Sequence, residues 1–144
     1  MEDVVFYRGP NIEGARGLDN LIDLFRRPEH QEAIAGGMAH LPSLPLVDIR
    51  GDEAFATSYL LLMYLNHEGD TYVLPNHGPS QGYLIHRVVI NRWHFKKIDG
   101  TWKIQSRLLL PIDGSEDHMT ILRKGLVGLV AARNHTPIPD EARS

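Results

Sequence analysis

Residues 54–65, Ala-Phe-Ala-Thr-Ser-Tyr-Leu-Leu-Leu-Met-Tyr-Leu, constrain the fold more than any other stretch. A β-rich run of this length, opened by Gly51-Asp52, predicts a long strand. A strand points successive side chains to opposite faces. Phe55, Tyr59, Leu61, Met63 and Leu65 fall on one face, and Ala54, Ala56, Leu60, Leu62 and Tyr64 on the other. An antiparallel strand with one wet face alternates apolar with polar. This one does not, so both faces require cover. Helices can supply one layer. A partner subunit is the economical source of the second, so a homodimer through the sheet face is expected.

Further strands are predicted over 83–96 and 101–110, joined by the Asp99-Gly100 turn and ended by Pro111. Residues 4–7 form a short strand closed by Gly9-Pro10, and 44–49 another, turning at Gly51-Asp52. Between these two, Leu18, Leu21, Ile22, Leu24 and Phe25 recur at helical spacing, predicting a helix over 17–27. Pro28 interrupts it, and a second helix over 29–35 stops at Gly36-Gly37. Residues 66–80 read as loop, with an extended piece at 71–74. Ser115 is a plausible N-cap for a terminal helix carrying Met119, Leu122, Leu126, Leu129 and Val130. Helices segregated from a run of antiparallel strands imply an α+β fold. One domain over residues 1–132 is expected, with a disordered tail over 133–144.

The 144 residues suit one domain and need no metal or disulfide to fold. The absence of cysteine excludes disulfide scaffolds, thiolate zinc sites and thiol catalysis. A net charge of -3 without a basic block argues against a nucleic-acid partner. No run approaches the ~20 apolar residues of a membrane helix, and residues 1–8 lack a signal-peptide pattern. No membrane partner and a cytoplasmic location are the expectation. The eight histidines include no His-x-His or His-Glu-x-x-His spacing, so no metal site is predicted.

Two segments resemble a known family. Leu46-Val47-Asp48-Ile49 followed by Gly51-Asp52-Glu53-Ala54-Phe55-Ala56-Thr57-Ser58-Tyr59 is one. Asn91-Arg92-Trp93-His94-Phe95 followed by Asp99-Gly100-Thr101-Trp102-Lys103-Ile104 is the other. Together they resemble the SnoaL-like branch of the NTF2-like superfamily, over roughly residues 3–110. The resemblance implies a cone, a curved antiparallel sheet wrapped on helices with an internal pocket, and commonly a dimer paired sheet to sheet. It implies no single function, since members include polyketide cyclases, dehydratases, a dehydrochlorinase, ketosteroid isomerases, epoxide hydrolases and proteins that only bind. Most of the enzymes use no cofactor, and none is expected here. Family members usually carry a long N-terminal helical segment that closes the pocket. Met1 stands almost directly before the first strand. Either the chain start is internal to a longer product, or the pocket is open at one side, or another element such as the terminal helix fills the gap.

The resemblance matches His40 to the histidine of the dehydratase and dehydrochlorinase members, a general base or else a hydrogen-bonded histidine at a helix–strand junction. Asn91 and Arg87 share a strand face with Tyr83, Ile85, Val89, Trp93 and Phe95. Polar groups on such a face must be paired or line a cavity. There Asn91 can hold a carbonyl or enolate oxygen and Arg87 can stabilise negative charge; otherwise Asn91 bonds a neighbouring strand and Arg87 meets solvent. Arg107 alternates with Lys103 and Gln105, which predicts a solvated face, while resemblance keeps it as a substrate-binding candidate. Tyr59 and Trp93 complete the expected substrate contacts. Two functions fit: a module binding a hydrophobic, oxygenated small molecule, and a cofactor-independent lyase or isomerase working through His40.

Overall fold

The computed structural model describes residues 4–8 and 12–134, with side chains through Gly125. Its elements are β1 (Val5–Tyr7), β2 (Ala15–Arg16), α1 (Leu18–Arg26), α2 (Pro28–Ala35), β3 (Ala39–Pro42) and β4 (Leu46–Arg50). They continue as β5 (Glu53–Leu65), β6 (Tyr72–Leu74), β7 (Gly78–Ser80), β8 (Tyr83–Ile98), β9 (Thr101–Pro111) and α3 (Glu116–Asn134). The fold is α+β. The tail expected from residue 133 lies, beyond Asn134, outside the described residues.

One sheet has the strand order β2-β1-β9-β8-β5-β3, with β4 also pairing β5. The long strands pair antiparallel, as expected. The sheet as a whole is mixed, because β1 joins β9 in parallel. A parallel neighbour needs a long connection, and residues 8–100 separate these two strands. The strand expected over 44–49 is β4, and a separate strand, β3, precedes it across a break. Pro42 and Pro45 bracket the break, and the two pieces pair with different halves of β5. The expected loop at 66–80 contains the β6–β7 hairpin.

Two register shifts bend the long strands, at Leu62/Met63 and at His94/Phe95. A bulge adds a residue to one strand and increases its twist and bend. Residues paired across strands share a face. Leu62 and Arg87, Leu60 and Val89, Ser58 and Asn91, and Ala56 and Trp93 therefore line one side of the sheet. Leu60, Val89 and Leu109 form the core there, with Leu62 packed against it. Helix α1 buries Leu24 over this side.

The opposite face carries Thr57, Tyr59, Ile90 and Arg92. Helix α3 packs against β4, β5, β8 and β9, and an added Cβ at its Gly125 would lie 3.4 Å from the Thr57 side chain. The terminal helix thus covers part of the face turned away from α1. It does not take the place of a segment closing the pocket, and it accounts for some of the two-sided apolar character of β5 within one chain.

Candidate functional site

Three local features bring His40 to the concave side. Pro28 opens α2 directly after α1, with Arg27 extended between them; proline lacks the N–H that a first helical position leaves unpaired anyway. Gly37 ends that helical segment at φ 91°, a left-handed conformation that glycine adopts without a Cβ clash. A Cβ there would also stand 2.8 Å from the Leu65 Cβ. The chain then pairs His40 with Leu62, which in turn faces Arg87.

These residues meet at a cavity of about 280 Å³ lined by Phe6, Leu24, Phe25, Leu62 and Leu109 and by the polar side chains of Arg8, His30, His40, Arg87 and Arg107. Phe25 of α1 stands edge-on to Phe6 of β1, with ring centroids 5.8 Å apart, closing one wall. No Asp, Glu or Tyr lines the cavity among the described residues. His40 lies at its solvent-exposed rim. Burial, then the positive charges of Arg107, His30, Arg87 and Arg8, push its imidazole below the ordinary histidine value. The ring is therefore neutral at neutral pH and able to accept a proton.

Arg107 is the most tightly held of the three arginines. Its Nε donates to Asn91 Oδ1 at 2.7 Å, and Asn91 Nδ2 donates to Ser58 Oγ at 3.2 Å. Its guanidinium lies over the Phe6 ring at 4.8 Å and the Trp93 ring at 4.5 Å from their centroids. Burial, and then Arg8, lower its pKa to about 10, so it stays charged at neutral pH.

The expectation that Arg107 belongs to a solvated face fails for an identifiable reason. Phe95 pairs with Ile104 and His94 with Ser106, leaving Gln105 as the extra residue. That bulge breaks the alternation with Lys103 and turns Arg107 inward beside Trp93.

The remaining candidates separate. Arg87 lines the cavity, and its Nε is buried without a hydrogen-bond partner among the described residues. Asn91 is buried behind Arg107 and bonds neighbouring strands, so it positions the arginine. Trp93 backs the same guanidinium. Tyr59 corrects the expectation: its pairing with Ile90 turns it to the face opposite the cavity, where it is 43% exposed. Tyr83 and Ile85, expected beside Arg87, lie beyond the first bulge and are exposed. Arg8 and His30 were missed. Alternation from Phe6 in β1 points to Arg8, whereas nothing local in the sequence marks His30.

A family model for a SnoaL-like domain matches residues 1–108. No curated protein matches the sequence. Among solved structures, an NTF2-like protein with a cystatin-like fold from Novosphingobium aromaticivorans superposes with a TM-score of 0.67 at 24% identity, covering 85% of this chain and 70% of its own. A protein of unknown function from Mycobacterium tuberculosis gives 0.56 at 20% identity, covering 96% and 76%. A candidate dehydratase of the NTF2-like family from Streptomyces avermitilis gives 0.51 at 14%, covering 77% and 68%. At these identities the structures report on the fold, and the sequence match over most of the chain carries the assignment: the chain belongs to the SnoaL-like family, within the NTF2-like fold.

Proposed function

We propose that this SnoaL-like domain binds a hydrophobic, oxygenated small molecule in its concave cavity. One observation carries the reading: apolar side chains from β1, α1, β5 and β9 and hydrogen-bonding groups from β3, β8 and β9 converge on the same space. Small-molecule sites combine apolar walls with placed polar groups, and this lining supplies both, five side chains of each kind. The test is a calorimetric screen of small aromatic ketones, amides and acids against the wild type and Leu62→Trp, which puts an indole ring into the cavity. Binding that disappears in that variant supports the reading. Binding that survives it unchanged contradicts it.

A second reading is a cofactor-independent lyase or isomerase with His40 as general base. The neutral imidazole and adjacent guanidiniums favour it, since a base beside cationic groups suits proton removal next to a carbonyl and charge on the resulting enolate. The absence of any carboxylate or tyrosine from the described lining, where it could orient that imidazole, ranks it second. Exchange of α-protons for deuterium in a bound ketone, followed by NMR and abolished by His40→Asn, is its expected signature.

The expected homodimer belongs with the first reading. Support comes from Tyr7, Leu41 and Tyr59, exposed on the face away from the cavity beside half-buried Leu61, Val88 and Leu110. Light scattering at micromolar concentration should give twice the chain mass, and a monomer would refute it.

A further inference from the structure

We propose that the cavity is an anion site whose ligand is an apolar acid of about benzoate size, its carboxylate held between Arg87 and Arg107. The proposal rests on the cavity being a small-molecule site and names the class of that molecule.

The walls carry three guanidiniums and no acidic side chain among the described residues. Arg107 commits only its Nε, to Asn91. Its two terminal amino groups make no hydrogen bond among the described residues and form the planar fork that matches a carboxylate. Arg87 contributes a buried Nε–H that has no partner among the described residues. A buried donor without an acceptor is costly, and more so beside like charge. Elsewhere Arg27 pairs with Glu13, Arg50 with Asp48 and Arg123 with Glu116, and Arg92 donates to Thr57 Oγ1. Arg87 and Arg107 both line the cavity without a carboxylate partner among the described residues, and an incoming carboxylate supplies the missing charge and an acceptor for the N–H groups that face the space.

Size and wall chemistry narrow the anion. At about 30 Å³ per water, 280 Å³ holds the volume of roughly nine waters. That admits a single aromatic ring bearing a carboxylate. Inorganic phosphate would leave Phe6, Leu24, Phe25 and Leu62 facing empty space, so an acid with an apolar body fits better than a bare anion.

The test is calorimetry on the wild-type protein with benzoate, benzamide and inorganic phosphate at one salt concentration. Benzamide keeps the shape and loses the charge. Charge-assisted hydrogen bonds predict that benzoate binds about ten- to a hundredfold tighter than benzamide, and tighter than phosphate. Arg87→Gln should cost benzoate at least about tenfold while leaving benzamide within twofold, with an unchanged circular dichroism spectrum. Benzamide binding as well as benzoate overturns the anion assignment and leaves the small-molecule reading standing. Phosphate binding as well as benzoate overturns the apolar acid. Neither organic probe binding overturns both. Should Arg87→Gln fail to fold, the wild-type benzoate-to-benzamide ratio still decides.

Discussion

Replacing Asn91 by leucine probes how the site is held. Asn91 is 4% exposed, and leucine keeps its branched shape and number of heavy atoms while being bulkier, so the change opens no cavity. It removes the acceptor of the Arg107 Nε bond and the donor to Ser58. A hydrogen bond to a charged group contributes about 1.5–3 kcal/mol, and leaving the buried partner unpaired falls in the same range. The loss of stability is therefore about 2–4 kcal/mol. For a chain of this length that lowers Tm by about 10 °C. Urea denaturation followed by circular dichroism measures it, with an unchanged m-value showing that the denatured state is unaffected. The double variant Asn91→Leu/Arg107→Met removes donor and acceptor together. It should be more stable than the two single losses summed, by about 1–3 kcal/mol. A loss below about 0.5 kcal/mol in Asn91→Leu, with additive behaviour in the double variant, would refute the role given to Asn91.

Three further outcomes are expected. The His40 ring, followed by NMR, should titrate below the ordinary value of about 6.5, because burial and the facing Arg107, His30, Arg87 and Arg8 disfavour its charged form. Its folded pKa lies below the unfolded one, so protonation opposes folding and this contribution to stability declines as pH falls through that ordinary value; a midpoint above 6.5 would contradict the site's electrostatics. Asp113 accepts from the Ser115 side chain and backbone and from His118, which hold its pKa at about 2. The stability it adds is complete above its unfolded value near 4, is lost as pH falls through 2, and should vanish in Asp113→Asn. Gly37→Ala forces a Cβ into a left-handed backbone and within 2.8 Å of Leu65. It should destabilise by about 1–3 kcal/mol and disturb the resonances of His40; a neutral effect would disprove the close approach.

Much of the fold was legible because it depends on patterns that local chemistry enforces. The two-sided apolar run became the central strand β5, flanked by β8 on one side and by β3 and β4 on the other. Asp99-Gly100 made its hairpin turn, with φ values of 50° and 75° at the two residues. Pro28 and Gly37 fixed the entry and exit of α2. What escaped was non-local. A bulge has no signature in a strand pattern, so Lys103, Gln105 and Arg107 read as one solvated row until Gln105 slipped out of register. The same limit misplaced Tyr59, whose face depends on which side of β5 the helices choose. The parallel pairing of β1 and the path of α3 over the outer face are likewise decided by distant contacts.

The most direct test of a ligand-binding concave cavity is a crystal structure of the wild-type protein grown in the presence of benzoate. The account predicts electron density for the ring against Phe25 and Leu62, and for the carboxylate within hydrogen-bond distance of Arg87 and Arg107. Side chains closing that space, or benzoate seated only elsewhere on the molecule, would contradict it.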